Sequence, residues 1–329
     1  MAWVTWRQHR VALTGVAAFL GALAVYVLIA GLSMHHAYST ATACRPASSP
    51  ACGNLFLNAN RMNPILAGGY ALQVVPVIIG MFVGAPVLAR EMETGTFRYA
   101  WTQGFGRLRW TLAKLILLGL VLAVATGAMS VLFSWYYHPY FEARNPAVSF
   151  SEMAPLSPGL FPLHGVTFAA WTLAAFAIGG LAGMLLRRIV PAMAATLVVC
   201  AGLAIGTGLI FREHYLTPLV TSKSNTPVAA WVTNQWLTKG GTRYPAHGDQ
   251  AISLFQRLCP ASASGGPGIK NAPLLSPVQC FAQHGYTQWS AYQPASRFWS
   301  FQAIESGWLL ILSVMLIAAT VWLVRRRAT

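Results

Sequence analysis

The sequence predicts an all-α polytopic membrane protein with six transmembrane helices and a long external region between helices five and six. Three observations carry that prediction. Charged residues are only 9% of the 329 positions and hydrophobic ones 56%, whereas a soluble domain carries roughly 25% charged residues; the mean hydropathy is +0.53. Six apolar runs each reach the roughly 20 residues that a helix needs to cross a bilayer. Basic residues gather at the ends of these runs on one side, as orientation in a membrane requires.

Helix one is the run 11–33. Arg7 and Arg10 before it and Ala41-Thr42-Ala43 after it imitate a secretory leader, but its apolar core exceeds the roughly 7–15 residues of such a leader. Helix two, 65–89, carries Pro76 and Pro86, and a proline inside a helix removes a hydrogen bond and bends it. Helices three, four and five are the runs 112–137, 160–186 and 189–211. Residues 212–300 form the external region, and 301–329 hold helix six (301–324) and a basic tail.

Orientation follows from the short loops. One side receives Arg7, Arg10, the cluster from Arg90 to Lys114, Arg187-Arg188 and Arg325-Arg326-Arg327; the other receives Arg45, Arg61, Arg144 and the long region. Long loops count little in the positive-inside rule, so the first side is cytoplasmic and both termini lie there. Arg outnumbers Lys 18 to 4, and Ala and Gly are abundant, a bias that points to a GC-rich bacterial genome and hence to a multi-pass protein of the bacterial plasma membrane.

The cysteines agree with this topology. Cys44 and Cys52 share the first external loop, and Cys259 and Cys280 share the last. Even pairs in an oxidising compartment are read as the disulfides Cys44–Cys52 and Cys259–Cys280, against the plainer alternative of free thiols. Cys200 falls mid-helix as a small apolar side chain. The external region is far longer than an ordinary connection. It contains Trp231, Trp236, Phe255, Tyr286, Trp289, Tyr292 and Trp299, and a turn-rich stretch at 261–268. It is expected to be a small folded layer, flexible near its middle, with part of it resting at the membrane interface where Trp and Tyr are favoured.

The first cytoplasmic loop, 90–110, gathers Arg90, Glu91, Glu93, Arg98, Arg107 and Arg109 into 21 positions. Glu91 and Glu93 precede Gly95 and Thr96, a helical run follows from Phe97 to Thr102, and Gly104 and Gly106 break it. Acidic residues near the start of a short helix and basic ones past its end suit the helix dipole. Phe97, Tyr99 and Trp101 give it aromatic surface, a frequent mark of a partner contact. The bland reading is a solvated turn with orienting charges.

The pattern Glu91-x-Glu93-x-Gly95-Thr96, then Thr102, Arg107 and Lys114, resembles the first cytoplasmic loop of ABC-2-type transporter permeases, the type V exporter-like ABC subunits. The six-helix layout resembles that family over essentially the whole chain, and the amphipathic segment Trp3–Arg10 resembles its N-terminal interfacial elbow helix, here 1–10. The resemblance implies that Glu91, Glu93, Gly95, Thr96, Arg98, Thr102 and Arg107 couple the chain to a separate ABC ATPase subunit. It also implies a second permease copy, a homodimer in the simplest case, with helices two and five of the two copies facing each other. Three small-residue pairs, Gly80/Gly84, Gly179/Gly183 and Gly202/Gly206, have the spacing that lets helices approach closely. Gly80, Gly84, Gly202 and Gly206 fall on helices two and five and are candidates for packing or for lining the pathway.

Other classes are disfavoured. Nucleic-acid binding would cluster basic and aromatic residues on one polar face, whereas here many basic residues flank apolar runs. No G-x-x-x-x-G-K-[ST] loop is present; the nearest stretch, 265–270, has the wrong spacing and lies outside by this topology. The chain is therefore expected to be no enzyme by itself, with ATP and magnesium bound by the partner and no cofactor or metal of its own. His35-His36 lack ligand partners at useful spacing. No ionisable residue stands near a helix centre (His164 and Glu305 are near outer ends and Glu213 lies just past one), which argues against an intramembrane enzyme or an ion-coupled carrier. The function expected is export of a hydrophobic or amphipathic substrate, such as a drug, antibiotic, peptide or lipid. The alternative is a non-transporting receptor or immunity protein that binds a ligand through 212–300.

Overall fold

The computed structural model describes residues 2–44, 72–95, 107–142, 154–222, 227, 229–260 and 277–326. Among them are six helices long and apolar enough to cross a membrane: α1 (Ala2–Ala43), α2 (Val75–Glu93), α3 (Arg107–Glu142), α4 (Thr167–Leu186), α5 (Ile189–His214) and, last in the chain, α8 (Phe298–Arg326). Residues 2–10 of the expected elbow are thus continuous with α1, which runs unbroken from Ala2, so the described residues show no separate elbow helix.

Helix α2 departs from the sequence expectation at its prolines. Residues 65–71 lie outside the described residues, and Pro76 stands in the first turn of α2, where its missing N–H would have had no partner anyway. Pro86 follows a π-helical turn at Gly80–Gly84. The donor that Pro86 lacks coincides with this local widening, a usual cause of bends in long helices. A second π turn, Thr207–Phe211, ends the regular part of α5.

Helix α4 is the centre of the bundle. It packs against α2, α3, α5 and α8, and its most apolar stretch is 67% buried, against 17% for α1 and α5 and 22% for α8. A helix apolar all round is one that is buried all round, and α4 is built that way, with Ala170, Ala174, Ala175, Ala177, Gly179 and Gly180 buried. The outer helices turn apolar faces away from the bundle: Ile29 is 63% exposed, Val198 69% and Val314 67%. In a bilayer those faces meet lipid at no cost.

The all-α expectation needs correction. The segment between α5 and α8 holds a four-stranded antiparallel sheet in the order β1-β4-β2-β3, from β1 (Leu219–Ser222), β2 (Trp231–Lys239), β3 (Thr242–Pro245) and β4 (Thr287–Gln293). Gly240 and Gly241, both at positive φ, turn β2 into β3. Between β3 and β4 lie α6 (Asp249–Leu258) and α7 (Pro277–Gln283), joined by the expected disulfide Cys259–Cys280. The stretch expected to be flexible, 261–268, lies outside the described residues. Cys44 is disulfide-bonded, and its expected partner Cys52 also lies outside them. Strand β1 leaves α5 and β4 enters α8, and the two pair with each other, so the sheet grows directly from the adjoining ends of these two helices.

Candidate functional site

The loop singled out by the sequence begins at the C-terminal end of α2. Thr94 N–H and Thr94 Oγ1 both donate to Arg90 O, at 3.0 and 2.8 Å, and Gly95 takes φ +69°, the left-handed turn that ends helices and favours glycine. Thr96, Arg98 and Thr102 lie outside the described residues, and Arg107 opens α3.

Both acidic residues of the loop are engaged within the chain. Lys114, on the second turn of α3, is 1% exposed along its side chain and stands 2.6 Å from Glu91 Oε1, itself 12% exposed. The ammonium also donates to Val87 O at 3.0 Å and sits 4.8 Å from the centroid of the Trp110 ring. A buried ammonium is tolerated only when its donors are used, and a carboxylate, a carbonyl and an aromatic face take up this one. Glu93 reaches elsewhere: its Oε2 accepts the backbone N–H of Ile189, the first residue of α5, at 3.0 Å. Resemblance had singled out Lys114; nothing in the sequence singled out Ile189.

The glycines also sort. A Cβ on Gly80 would stand 2.7 Å from Ala175 O, one on Gly84 2.7 Å from Phe176 O, and one on Gly179 2.5 Å from Gly80 O. Gly80, Gly84, Gly179 and Gly183 therefore form one close crossing of α2 with α4 in the same chain. Among the described residues, Gly202 has no heavy atom within 4 Å of its Cβ position, and Gly206 meets only Phe211 of its own helix. That face of α5 carries exposed Val198, Ile205 and Leu209.

Between the end of α5 and the start of α8 a second polar cluster shows that the bundle does bury charge, away from the helix centres. Arg212, at the end of α5, is 2% exposed and Glu305, on α8, 0%. The guanidinium donates twice to the carboxylate, Nε to Oε2 and Nη2 to Oε1, both at 2.9 Å, the bidentate geometry in which arginine pairs best. Trp171 Nε1 on α4 donates to Glu305 Oε1 at 2.9 Å, and Arg212 lies 4.9 Å from the centroid of the Phe161 ring. Tyr215 accepts from Trp308 Nε1 at 3.1 Å. Burial first, and then the Glu305 charge, push the Tyr215 phenol above its usual value, so it stays protonated. One turn outward, Gln302 Oε1 accepts Val166 N–H and Thr167 N–H at 3.0 Å and Thr167 Oγ1–H at 2.6 Å, filling the first amides of α4. Beside this cluster a narrow cleft opens among α2, α4 and α5, lined by Gln73, Pro76, Trp171, Cys200, Gly208 and Arg212.

Two histidines stand near possible ligand partners or aromatic rings. His35 stacks on Trp135 at 4.6 Å and its Nε2 lies 3.0 Å from Trp135 O, a packing role. Cys259, Cys280 and His284 stand within 4.8 Å of one another, but the two sulfurs are bonded to each other and so are not thiolate ligands.

The family model described as ABC-2 membrane transporter related matches residues 17–212, more than half of the chain's 329 residues and a span that runs from α1 to the last turn of α5. No curated protein and no solved structure matches the chain.

Proposed function

The chain belongs to the ABC-2 membrane transporter related family, and on that premise we propose that it is the permease subunit of an ATP-driven exporter in a bacterial plasma membrane. A separate ABC ATPase subunit binds ATP and magnesium, and this chain supplies the membrane pathway. The observation that carries the reading is the family match across five of the six membrane helices, joined to a sequence with no phosphate-cradling loop of its own.

In this reading both termini are cytoplasmic and the loop 90–110 docks on the ATPase. Gly95, Thr96, Arg98, Thr102 and Arg107 form the docking segment, whereas Glu91 and Glu93 have their carboxylates on Lys114 and Ile189. Two permease copies meet through the face of α5 that holds Gly202, Ile205 and Leu209. Closure of two ATPase subunits on ATP draws the two loops together and turns the pathway from inward to outward access. The cargo is hydrophobic or amphipathic, because the free face of α5 offers apolar and small side chains and no charge.

The test is co-expression with an ATPase encoded beside this gene, purification through a tag on the permease alone, and reconstitution in vesicles. The reading expects co-elution of both subunits in equal numbers and magnesium-dependent ATP hydrolysis by the complex. Elution of the permease without the ATPase, under conditions where both are expressed and membrane-inserted, overturns it.

A further inference from the structure

We infer that Glu93 is the positioning residue that ties the cytoplasmic end of α2 to the first turn of α5, so that movement of the loop after α2 is delivered to α5 directly. The origin of that movement rests on the permease reading above; the tie itself rests on geometry alone.

The first amides of a helix have no partner within it. At the start of α5, Arg188 occupies the N-cap position in an extended conformation and provides no side-chain cap. Glu93 fills the gap from a different helix, with Oε2 on Ile189 N–H at 3.0 Å. A carboxylate there also faces the positive end of the helix dipole, so hydrogen bond and charge act together.

The placement of Glu93 is fixed by Glu91. Two residues apart on a helix means about 200° around it, so the side chains leave α2 on nearly opposite sides. Glu91 goes to α3, where Lys114 holds it at 2.6 Å and also grips Val87 O; Glu93 goes to α5. Further up, the contact of Gly80 and Gly84 with the backbone of Ala175 and Phe176 holds α2 against α4. Helix α2 is thus pinned at two heights; at its C-terminal end Ala85 and Ala89 pack on Ala192 of α5, and beyond that packing it carries one charged contact to α3 and one to α5. The link from α4 to α5 is only Arg187-Arg188, with Arg187 in the left-handed region at φ 56°, so no slack segment stands between Glu93 and the helix it holds.

Three variants test this: Glu93→Gln, which keeps the acceptor; Glu93→Ala, which removes it; and Ile189→Pro, which removes the donor instead. Proline suits a first helical position, and the extended Arg188 suits a residue before proline. Hydrogen exchange of the amides of 190–193 is measured on the full chain in lipid nanodiscs, then on its complex with the ATPase with and without magnesium-ATP. For the chain alone we expect exchange about tenfold faster in Glu93→Ala and Ile189→Pro, and within about threefold of the parent in Glu93→Gln, in the range that loss of a helix cap gives. For the complex we expect the ATPase to remain bound to Glu93→Ala while the ATP-dependent change in α5 is lost. Unchanged exchange in Glu93→Ala and Ile189→Pro overturns the inference, and so does an ATP response of α5 that survives in both. Loss of ATPase binding in Glu93→Ala with unchanged exchange assigns Glu93 to docking instead, and equally overturns it. A parent chain that binds no ATPase defeats the permease reading, while the exchange of the isolated variants still decides the tie.

Discussion

Replacing Arg212 with Met leaves the Glu305 carboxylate alone in the bundle, and the cost can be bounded from its neighbours. The two side chains are 2% and 0% exposed, so neither recovers much water when the other leaves. Removing one partner of such a pair costs about 3–5 kcal/mol, because the remaining charge stays desolvated. Glu305 would keep its bond from Trp171 Nε1 at 2.9 Å and the neighbouring Tyr215 hydroxyl, and hydrogen bonds to a charged group retain about 1.5–3 kcal/mol each. Arg212→Met should therefore fall near the lower bound, about 3 kcal/mol. Among the described residues, Glu305→Met leaves Arg212 with one hydrogen bond, Nη1 to Pro158 O at 3.4 Å, and should fall near the upper bound, about 5 kcal/mol. The double replacement removes both charges and leaves chiefly the Trp171 N–H unpaired, a cost of about 1–3 kcal/mol. Reversible unfolding of the four proteins in mixed micelles completes a double-mutant cycle, and the double variant should be more stable than either single one. If the two single costs instead add to the double cost within about 0.5 kcal/mol, the pair does not act as a unit and this account of the outer cluster fails.

Gly179→Val places a side chain where a Cβ would already stand 2.5 Å from Gly80 O; α2 and α4 must separate, so thermal stability in detergent should drop by an overpacking cost of about 1–3 kcal/mol, whereas Gly202→Val, with open space around it, should leave the monomer's stability unchanged. Replacing Cys259 and Cys280 with Ser opens a loop with a sequence separation of 21, for which the loop-entropy relation gives about 3 kcal/mol; the external sheet should become protease-sensitive from outside while membrane insertion persists, and free thiols at both positions in protein isolated without reductant would end the disulfide assignment. A membrane-impermeant thiol reagent should label a cysteine placed at Thr242, exposed at the β2–β3 hairpin, and not one placed at Arg109, exposed at the start of α3.

The membrane helices were legible because the signal that defines them, length and continuous apolarity, lies along the chain. The sheet was not. Strands β1 and β3 have four residues each, too short for alternation to stand out, and the aromatic residues of 212–300 read equally well as interface anchors. The pairing of charges was beyond the sequence for a different reason. Arg212 and Glu305 are 93 positions apart, and each alone looks like an ordinary residue at the outer end of an apolar run; only the side-by-side packing of α5 and α8 against Trp171 joins them. Their opposite signs at the outer ends of consecutive membrane helices were the available hint. The loop was legible as a feature but not in its wiring. Glu91 and Glu93 read as a surface pair, and it takes the positions of α3 and α5 to see that they reach Lys114 and Ile189. The glycine pairs were legible as close-packing sites, and the structure assigns two of them to each other.

Contact between the loop 90–110 and an ATPase is the proposal on which the account turns. It is tested most directly by placing a photo-crosslinking residue at Arg98, at Thr102 and, as a control, at Lys239 on the external hairpin, with the ATPase co-expressed. The account predicts covalent adducts with the ATPase from Arg98 and Thr102 and none from Lys239. An ATPase that assembles with the chain yet crosslinks to neither loop position would contradict it.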